Sequence, residues 1–254
     1  MAALAPARTT QTAIRAQDLT KSFPHKLAVD HVTFSVEQGS VFGLLGRNGA
    51  GKSCTIKMLT TLSPISSGSA SVGDYDVSSQ PVDVRRSIGY VPQLASADID
   101  LTAYENLLIS AKLYCIPRTE RRERIREALS LMGLEKSVDL LARSYSGGML
   151  RRLEIAQAML HHPRVLFLDE PTVGLDPLAR HAVWTRIGEL RTRFGTTILL
   201  TTHYMDEATE LCDHVAFLRD GKLAGIGTPA ELCAALRPGA TLDDVFIALT
   251  RTQA

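Results

Sequence analysis

Eight residues, Gly46-Arg47-Asn48-Gly49-Ala50-Gly51-Lys52-Ser53, have the spacing G-x-x-x-x-G-K-S. Glycines at these intervals let the backbone curl until successive N–H groups point inward, towards an anion. A helix starting at the end of the loop adds the partial positive charge of its N-terminus. Lys52 brings a full charge for the β- and γ-phosphates of a nucleotide, and Ser53 a hydroxyl able to ligate Mg²⁺. A phosphate chain with its cation needs carboxylates nearby. Asp169 and Glu170 stand together after the apolar run Val165-Leu166-Phe167-Leu168. Asp169 suits a Mg²⁺ ligand, and Glu170 suits a group that orients or deprotonates a water.

These motifs act together only if strands and helices hold them, and the patterning supplies both. Residues 41–45, 165–168 and 197–200 are nearly continuous in apolar or β-branched side chains. Strands buried on both faces of a parallel sheet read this way. Helical patterns lie between them at 52–62, 147–161 and 178–194, so the alternation predicts an α/β layer architecture. Upstream, 14–41 contains a period of two at Val32, Phe34 and Val36, which predicts antiparallel strands with one wet face. From 94 to 145 nothing reads as a strand. Helices are expected at 102–113 and 119–132, with Pro117 as the breaker between them. The second carries Arg118, Arg121, Arg122, Arg124 and Arg126 interleaved with Glu120, Glu123 and Glu127. Mixed signs of this kind mark a solvated face rather than a phosphate or membrane patch.

Composition narrows the class. The chain has 254 residues, 45% hydrophobic and 22% charged, enough to bury a core without staples. Lys and Arg number 28 against 27 Asp and Glu, so nucleic acid is not the expected partner. Cys54, Cys115, Cys212 and Cys233 are scattered and form no C-x-x-C, which argues against zinc or a disulfide framework and for a reducing compartment. No apolar run reaches the length of a membrane span, and 1–12 lacks the apolar segment of a signal peptide. Residues 1–13 are expected to be a flexible tail.

Before the acidic pair comes Tyr145-Ser146-Gly147-Gly148-Met149-Leu150-Arg151-Arg152. Ser146 is a good helix N-cap, and Gly147 and Gly148 leave N–H groups open to an anion. The stretch resembles the signature sequence of ATP-binding-cassette (ABC) ATPases, most often L-S-G-G-Q, with Tyr145 and Met149 as departures. Other pieces fall in the same order. Tyr90-Val91-Pro92-Gln93 is similar to the family's Q-loop, which implies that Gln93 reaches Mg²⁺ or the attacking water. Gly174-Leu175-Asp176-Pro177 is similar to the D-loop and implies a dimer seam at Asp176. His203 matches the switch histidine that bonds the γ-phosphate, and Phe23 the aromatic that stacks on adenine.

The resemblance covers about 14–227. It implies a P-loop NTPase core with an antiparallel β subdomain and a helical subdomain at about 94–150. It further implies ATP and Mg²⁺, with Ser53, Gln93 and Asp169 on the metal and Glu170, His203 and Gln93 in catalysis. A second copy of the domain would complete an ATP sandwich. Cys54 stands where the family usually has Thr or Ser beside the α-phosphate. At a helix N-terminus near Lys52, its thiol is expected to have a lowered pKa.

An ATPase of this kind is expected to drive separate membrane-spanning subunits from the cytoplasmic face of the membrane. Asp100-Leu101-Thr102-Ala103-Tyr104-Glu105-Asn106-Leu107 resembles the D-L-T-x-x-E-N-L of exporters of drugs, antibiotics, lipids or polysaccharides, including daunorubicin-resistance ATPases. The stretch 241–250, within a helical extension expected at 228–254, resembles the tail ending of the same branch. There Leu242, Val245, Phe246 and Leu249 share one helix face. An importer ATPase, or a soluble ABC ATPase of translation or DNA repair, is the alternative. The single phosphate loop and the lack of sustained heptads weigh against the soluble kinds. Glu170 weighs against a nucleotide switch without turnover.

Overall fold

Two long strands, β1 (Thr12–Phe23) and β2 (Lys26–Glu37), open the computed structural model, which describes residues 11–250. They pair antiparallel, Ala16 opposite Phe34 and Leu19 opposite Val32. On β2 the side chains of Val32, Phe34 and Val36 are buried and those between them exposed, as a period of two requires. Thr12 and Ala13, expected in the flexible tail, belong to β1 instead. Thr12 pairs with Glu37, and Ala13 is buried. Residues 1–10 lie outside the described part.

The chain continues through β3 (Val41–Leu45), α1 (Lys52–Leu59), β4 (Ser67–Val72), β5 (Tyr75–Asp76), α2 (Pro81–Ser87) and β6 (Ile88–Val91). A helical stretch follows, with α3 (Ala103–Leu113), α4 (Arg118–Leu131) and α5 (Gly147–Met159). Thr102 starts α3 with a reciprocal cap: its hydroxyl accepts from Glu105 N, and Glu105 accepts from Thr102 N. Charges on α4 are partly paired. Arg124 lies 3.6 Å from Glu120, and Glu127 pairs with both His162 and Arg193. The rest comprises β7 (Val165–Asp169), α6 (Pro177–Phe194), β8 (Thr197–Thr202), α7 (Met205–Leu211), β9 (His214–Arg219), β10 (Lys222–Gly227), α8 (Pro229–Leu236) and α9 (Leu242–Thr250).

Strands β2-β1-β4-β5 form one antiparallel sheet, and β10-β9-β3-β8-β7-β6 form a second. In the second, every neighbouring pair is parallel except β10 with β9. Its two faces enter different cores. Phe42, Leu44, Val165, Phe167 and Leu199 face the antiparallel sheet and α1, and Phe42 stacks on Phe34 at 5.2 Å. Val41, Leu45, Leu166, Leu168, Ile198 and Leu200 face the core built with the helical stretch. Burial on both faces is why these three strands read as unbroken apolar runs. The architecture is the expected one: a P-loop α/β core with an antiparallel β part and a helical part.

The closing helix is not an appendage. Leu242 and Val245 are buried in the same core as α5 and β7, and the rings of Phe246 and Phe217 lie 6.3 Å apart. Leu242→Ala should therefore destabilise the whole fold by about 2–5 kcal/mol, the range for truncating a buried leucine. Urea denaturation followed by circular dichroism measures this. A loss below about 0.5 kcal/mol, as for a surface change, would make α9 an attachment to the fold.

Candidate nucleotide site

Strands β3, β8, β7 and β6 run parallel side by side, so their carboxyl ends share one edge of the sheet. Ligands of open α/β sheets bind at that edge. The glycine-rich loop leaves β3 there, Glu170 follows β7, His203 follows β8, and Gln93 lies two residues beyond β6. A cleft of about 490 Å³ opens on this edge, lined among others by Phe23, Asn48, Gly49, Gly51, Lys52, Ser53, Cys54, Gln93 and Glu170.

The loop has the shape its glycines allow. Gly51 adopts φ 109°, and a Cβ there would fall 2.7 Å from the Ala28 carbonyl oxygen, so no other residue fits. Gly51 is also the N-cap of α1 and offers no side-chain cap, which leaves first-turn N–H groups for a ligand. Lys52 reaches back under the loop. Its Nζ donates to Gly46 O at 2.8 Å and lies 3.1 Å from Glu170 Oε1. Both side chains are buried, at 4% and 6% exposure. Gln93 Nε2 donates to Glu170 Oε2 at 3.3 Å, and His203 Nδ1 is 3.4 Å from the same oxygen. The three expected catalytic residues thus meet, Gln93 and His203 at the carboxylate of Glu170.

Glu170 adopts φ 49°, a left-handed conformation uncommon for a side chain of this kind. The β8 residue Thr201 holds it there. Glu170 N donates to Thr201 Oγ1 at 2.9 Å, while that hydroxyl donates to Asp169 Oδ1 at 2.6 Å. Ser53 Oγ donates to the same Asp169 oxygen at 3.0 Å. A hydroxyl and a carboxylate beside a phosphate loop are the hard oxygen donors Mg²⁺ takes, with water and phosphate filling the other positions. The residues fit the metal. Asp169 also bears on Tyr90, whose phenol is pushed up to about 12, first by burial and then by that charge.

Comparison with known proteins agrees with this geometry. A profile of the ABC transporter family matches residues 29–173. The chain is 45% identical over 224 residues to the daunorubicin/doxorubicin resistance ATP-binding protein DrrA of Streptomyces peucetius, which covers 88% of this chain and 68% of that protein. The chain belongs to the ABC transporter family. It is an ATP-binding subunit and an ATPase by descent. Nod factor export ATP-binding protein I of Burkholderia thailandensis is 43% identical over 216 residues, 85% of this chain and 71% of that protein. A solved ATP-binding subunit of an ABC transporter superposes with a TM-score of 0.83 at 32% identity, covering 94% of this chain and all of the other.

Not every expected nucleotide contact of the ABC subunit gathers in the cleft. Ser146, Gly147, Gly148 and Asp176 are absent from its walls. Ser146 caps α5, its hydroxyl accepting from Met149 N, and is exposed with Gly147. Asp176 is exposed and caps α6, accepting from Ala179 N at 2.9 Å. The two caps are neighbours. A Cβ on Gly148 would come within 2.8 Å of Ala179 Cβ, so only glycine lets the helix starts touch. The departures Tyr145 and Met149 pack against the core, and Tyr145 Oη donates to Ser137 O. Arg47 and Asn48 are exposed on the loop, and Ala50 is buried beneath it.

Sequence reasoning passed over three groups. Thr201 looked like one more β-branched strand residue. Lys26 and Lys57 line the cleft and bring positive charge that no motif announced. Glu207 on α7 is wholly buried and accepts from Thr172 Oγ1 at 2.7 Å and Trp184 Nε1 at 2.8 Å, tying the segment after Glu170 to that after His203. Burial pushes its carboxyl above the usual range.

One expectation is overturned. The Cys54 thiol pKa is raised, because burial outweighs the opposing charges of Lys21, Lys57 and Lys26. Half-buried yet on the cleft wall, Cys54 should react with a maleimide more slowly than exposed Cys115. MgATP should slow it further, and Cys54→Thr should bind ATP at least as tightly as the parent. Mass-spectrometric mapping of label with and without MgATP tests this. Equal labelling of Cys54 in both would separate the thiol from the nucleotide.

Proposed function

We propose that this chain is the motor subunit of an exporter, hydrolysing MgATP to drive separate membrane-spanning subunits from the cytoplasmic face of the membrane. The convergence of Lys52, Gln93 and His203 on Glu170, beside an uncapped phosphate loop, carries the reading. Its relatives are a drug-resistance ATP-binding protein and a Nod factor export ATP-binding protein, which favours export. Among the described residues no helix is long and apolar enough to cross a membrane; in this reading separate membrane-spanning subunits form the substrate path.

The loop N–H groups and Lys52 bind the phosphates, and Phe23, half exposed at the cleft rim, stacks on the base. Such stacking is worth about 1–3 kcal/mol and tolerates any base. Ser53, Asp169 and Gln93 would hold Mg²⁺, which neutralises charge on the phosphate oxygens. Glu170 orients and deprotonates the attacking water, with His203 and Gln93 fixing that water and the terminal phosphate. An arriving phosphate competes with Glu170 for Lys52, so binding itself releases the carboxylate for this work. Ser146, Gly147 and Asp176, exposed on another face, would meet the nucleotide of a second copy together with the backbone of buried Gly148. A mixed polar and apolar cleft of about 320 Å³, lined by Tyr90, Ser110, Leu113, Tyr114, Glu154 and Gln157 with Leu113 strongly exposed, would seat a membrane subunit.

Lys52→Ala should weaken MgATP binding and abolish hydrolysis, as read by nucleotide titration and phosphate release. It should also destabilise the empty protein by about 3–5 kcal/mol, since Glu170 is left buried without its partner. Parental turnover would refute the phosphate-loop assignment.

Glu170→Gln should bind ATP, hydrolyse it poorly and accumulate an ATP-bound dimer on size exclusion. A monomer with normal turnover would remove both the acid's role and the sandwich. Capture of a membrane protein by this variant from detergent extracts tests the partner, and its gene identifies the transporter.

A further inference from the structure

Arg151 and Glu154 stand three residues apart on α5 and form an ion pair at 2.9 Å. Their side chains are 9% and 2% exposed, although neither lines the nucleotide cleft. Charges are seldom buried this deeply unless paired and hydrogen-bonded. The remaining bonds of this pair all go to one segment, 92–97. Arg151 Nη1 donates to Pro92 O at 2.8 Å and Nη2 to Gln93 O at 3.0 Å. Glu154 Oε1 accepts from Ser96 N, from Ser96 Oγ at 3.3 Å and from Ala97 N at 3.4 Å. Among the described residues, 93–97 make no backbone-to-backbone hydrogen bond of their own. The ion pair grips the segment at both ends in place of a ladder.

Gln93, whose carbonyl Arg151 holds, places its amide 3.3 Å from Glu170 Oε2. We propose that Arg151 and Glu154 are positioning residues for Gln93: the pair sets where the Gln93 amide stands against Glu170, and ties that position to α5. Since α5 begins at the Ser146-Gly147-Gly148 turn, a tilt of the helix carries the Gln93 backbone with it. The turn that faces a second copy and the amide that faces the water are then linked through one helix and five hydrogen bonds. The inference rests on the role proposed for Gln93 in hydrolysis.

Arginine suits the task in a way lysine does not. Its planar fork reaches Pro92 O, Gln93 O and Glu154 Oε2 at once, whereas one ammonium on a flexible stem cannot hold that spread. Glu154→Gln keeps the shape and removes the charge that fixes Arg151.

The experiment is a double-mutant cycle on the full chain, with Arg151→Lys, Glu154→Gln, Gln93→Ala and the doubles Arg151→Lys/Gln93→Ala and Glu154→Gln/Gln93→Ala. The rate of phosphate release, MgATP affinity and the thermal midpoint are measured for each. Each single substitution at 151 or 154 should lower kcat about tenfold and leave MgATP affinity within about twofold, the pattern of a lost transition-state contact. In the Gln93→Ala background the same substitutions should lower kcat by less than about twofold, because residues acting through one another are not additive. A thermal midpoint near the parent's in either single variant separates positioning from unfolding. Full tenfold losses persisting in the Gln93→Ala background would overturn the inference, and so would kcat at parental level in folded single variants. Parental turnover of Gln93→Ala alone would instead remove the role of Gln93, and this inference with it.

Discussion

Lys52 and Glu170 put opposite charges 3.1 Å apart with almost no water around either. Such a pair persists only if its remaining hydrogen-bonding capacity is met, because desolvating two ions is expensive. Gly46 and Gln93 meet part of it, and His203 and Thr201 lie beside the pair. Gly46 O takes a proton of the ammonium, Gln93 and His203 approach the second carboxylate oxygen, and Thr201 bonds the Glu170 backbone. These residues come from β3, β6, β8 and the turns after them. The strand order β3-β8-β7-β6 is the arrangement that brings them together. β8 lies between the strand of the phosphate loop and the strand of the acids, which is why Thr201 can bond both Asp169 and Glu170.

The same sheet explains how a site this polar is kept in place. Alternate side chains of β3, β7 and β8 enter two separate cores, one under the antiparallel sheet and one under the helices. Neither core can loosen without exposing one face of the central strands. The polar edge is therefore held by apolar packing on both sides, while loops that leave the edge remain free to meet ligand.

How much of this was visible beforehand depended on whether the determinant is local in sequence. The phosphate loop was legible because its chemistry lies in eight consecutive residues. The three central strands were legible because two-faced burial leaves no polar position. β4, Ser-Gly-Ser-Ala-Ser-Val, was not, since small polar residues carry no period and the strand exists by pairing with β1. Thr201 was hidden inside a β-branched run that spells strand whatever its hydroxyl does. Arg151 and Glu154 look like the polar stripe of an amphipathic helix, and only the segment folded over them shows otherwise. The Cys54 thiol went the wrong way because helix ends and lysines can be read from a sequence, whereas the loss of water around a sulfur cannot.

The contact of Gly148 with Ala179 has a consequence for assembly. It joins the start of α5 to the start of α6, so the Ser146 turn and Asp176 form one stiff plate rather than two loops. In the proposed dimer each plate would present two points of attachment. Once one engages, the other is already within reach at high effective concentration, and no chain entropy is lost in bringing it there. Association would then be steep in nucleotide and close to all-or-none, a property set by two hydrogens where any other residue would carry a carbon.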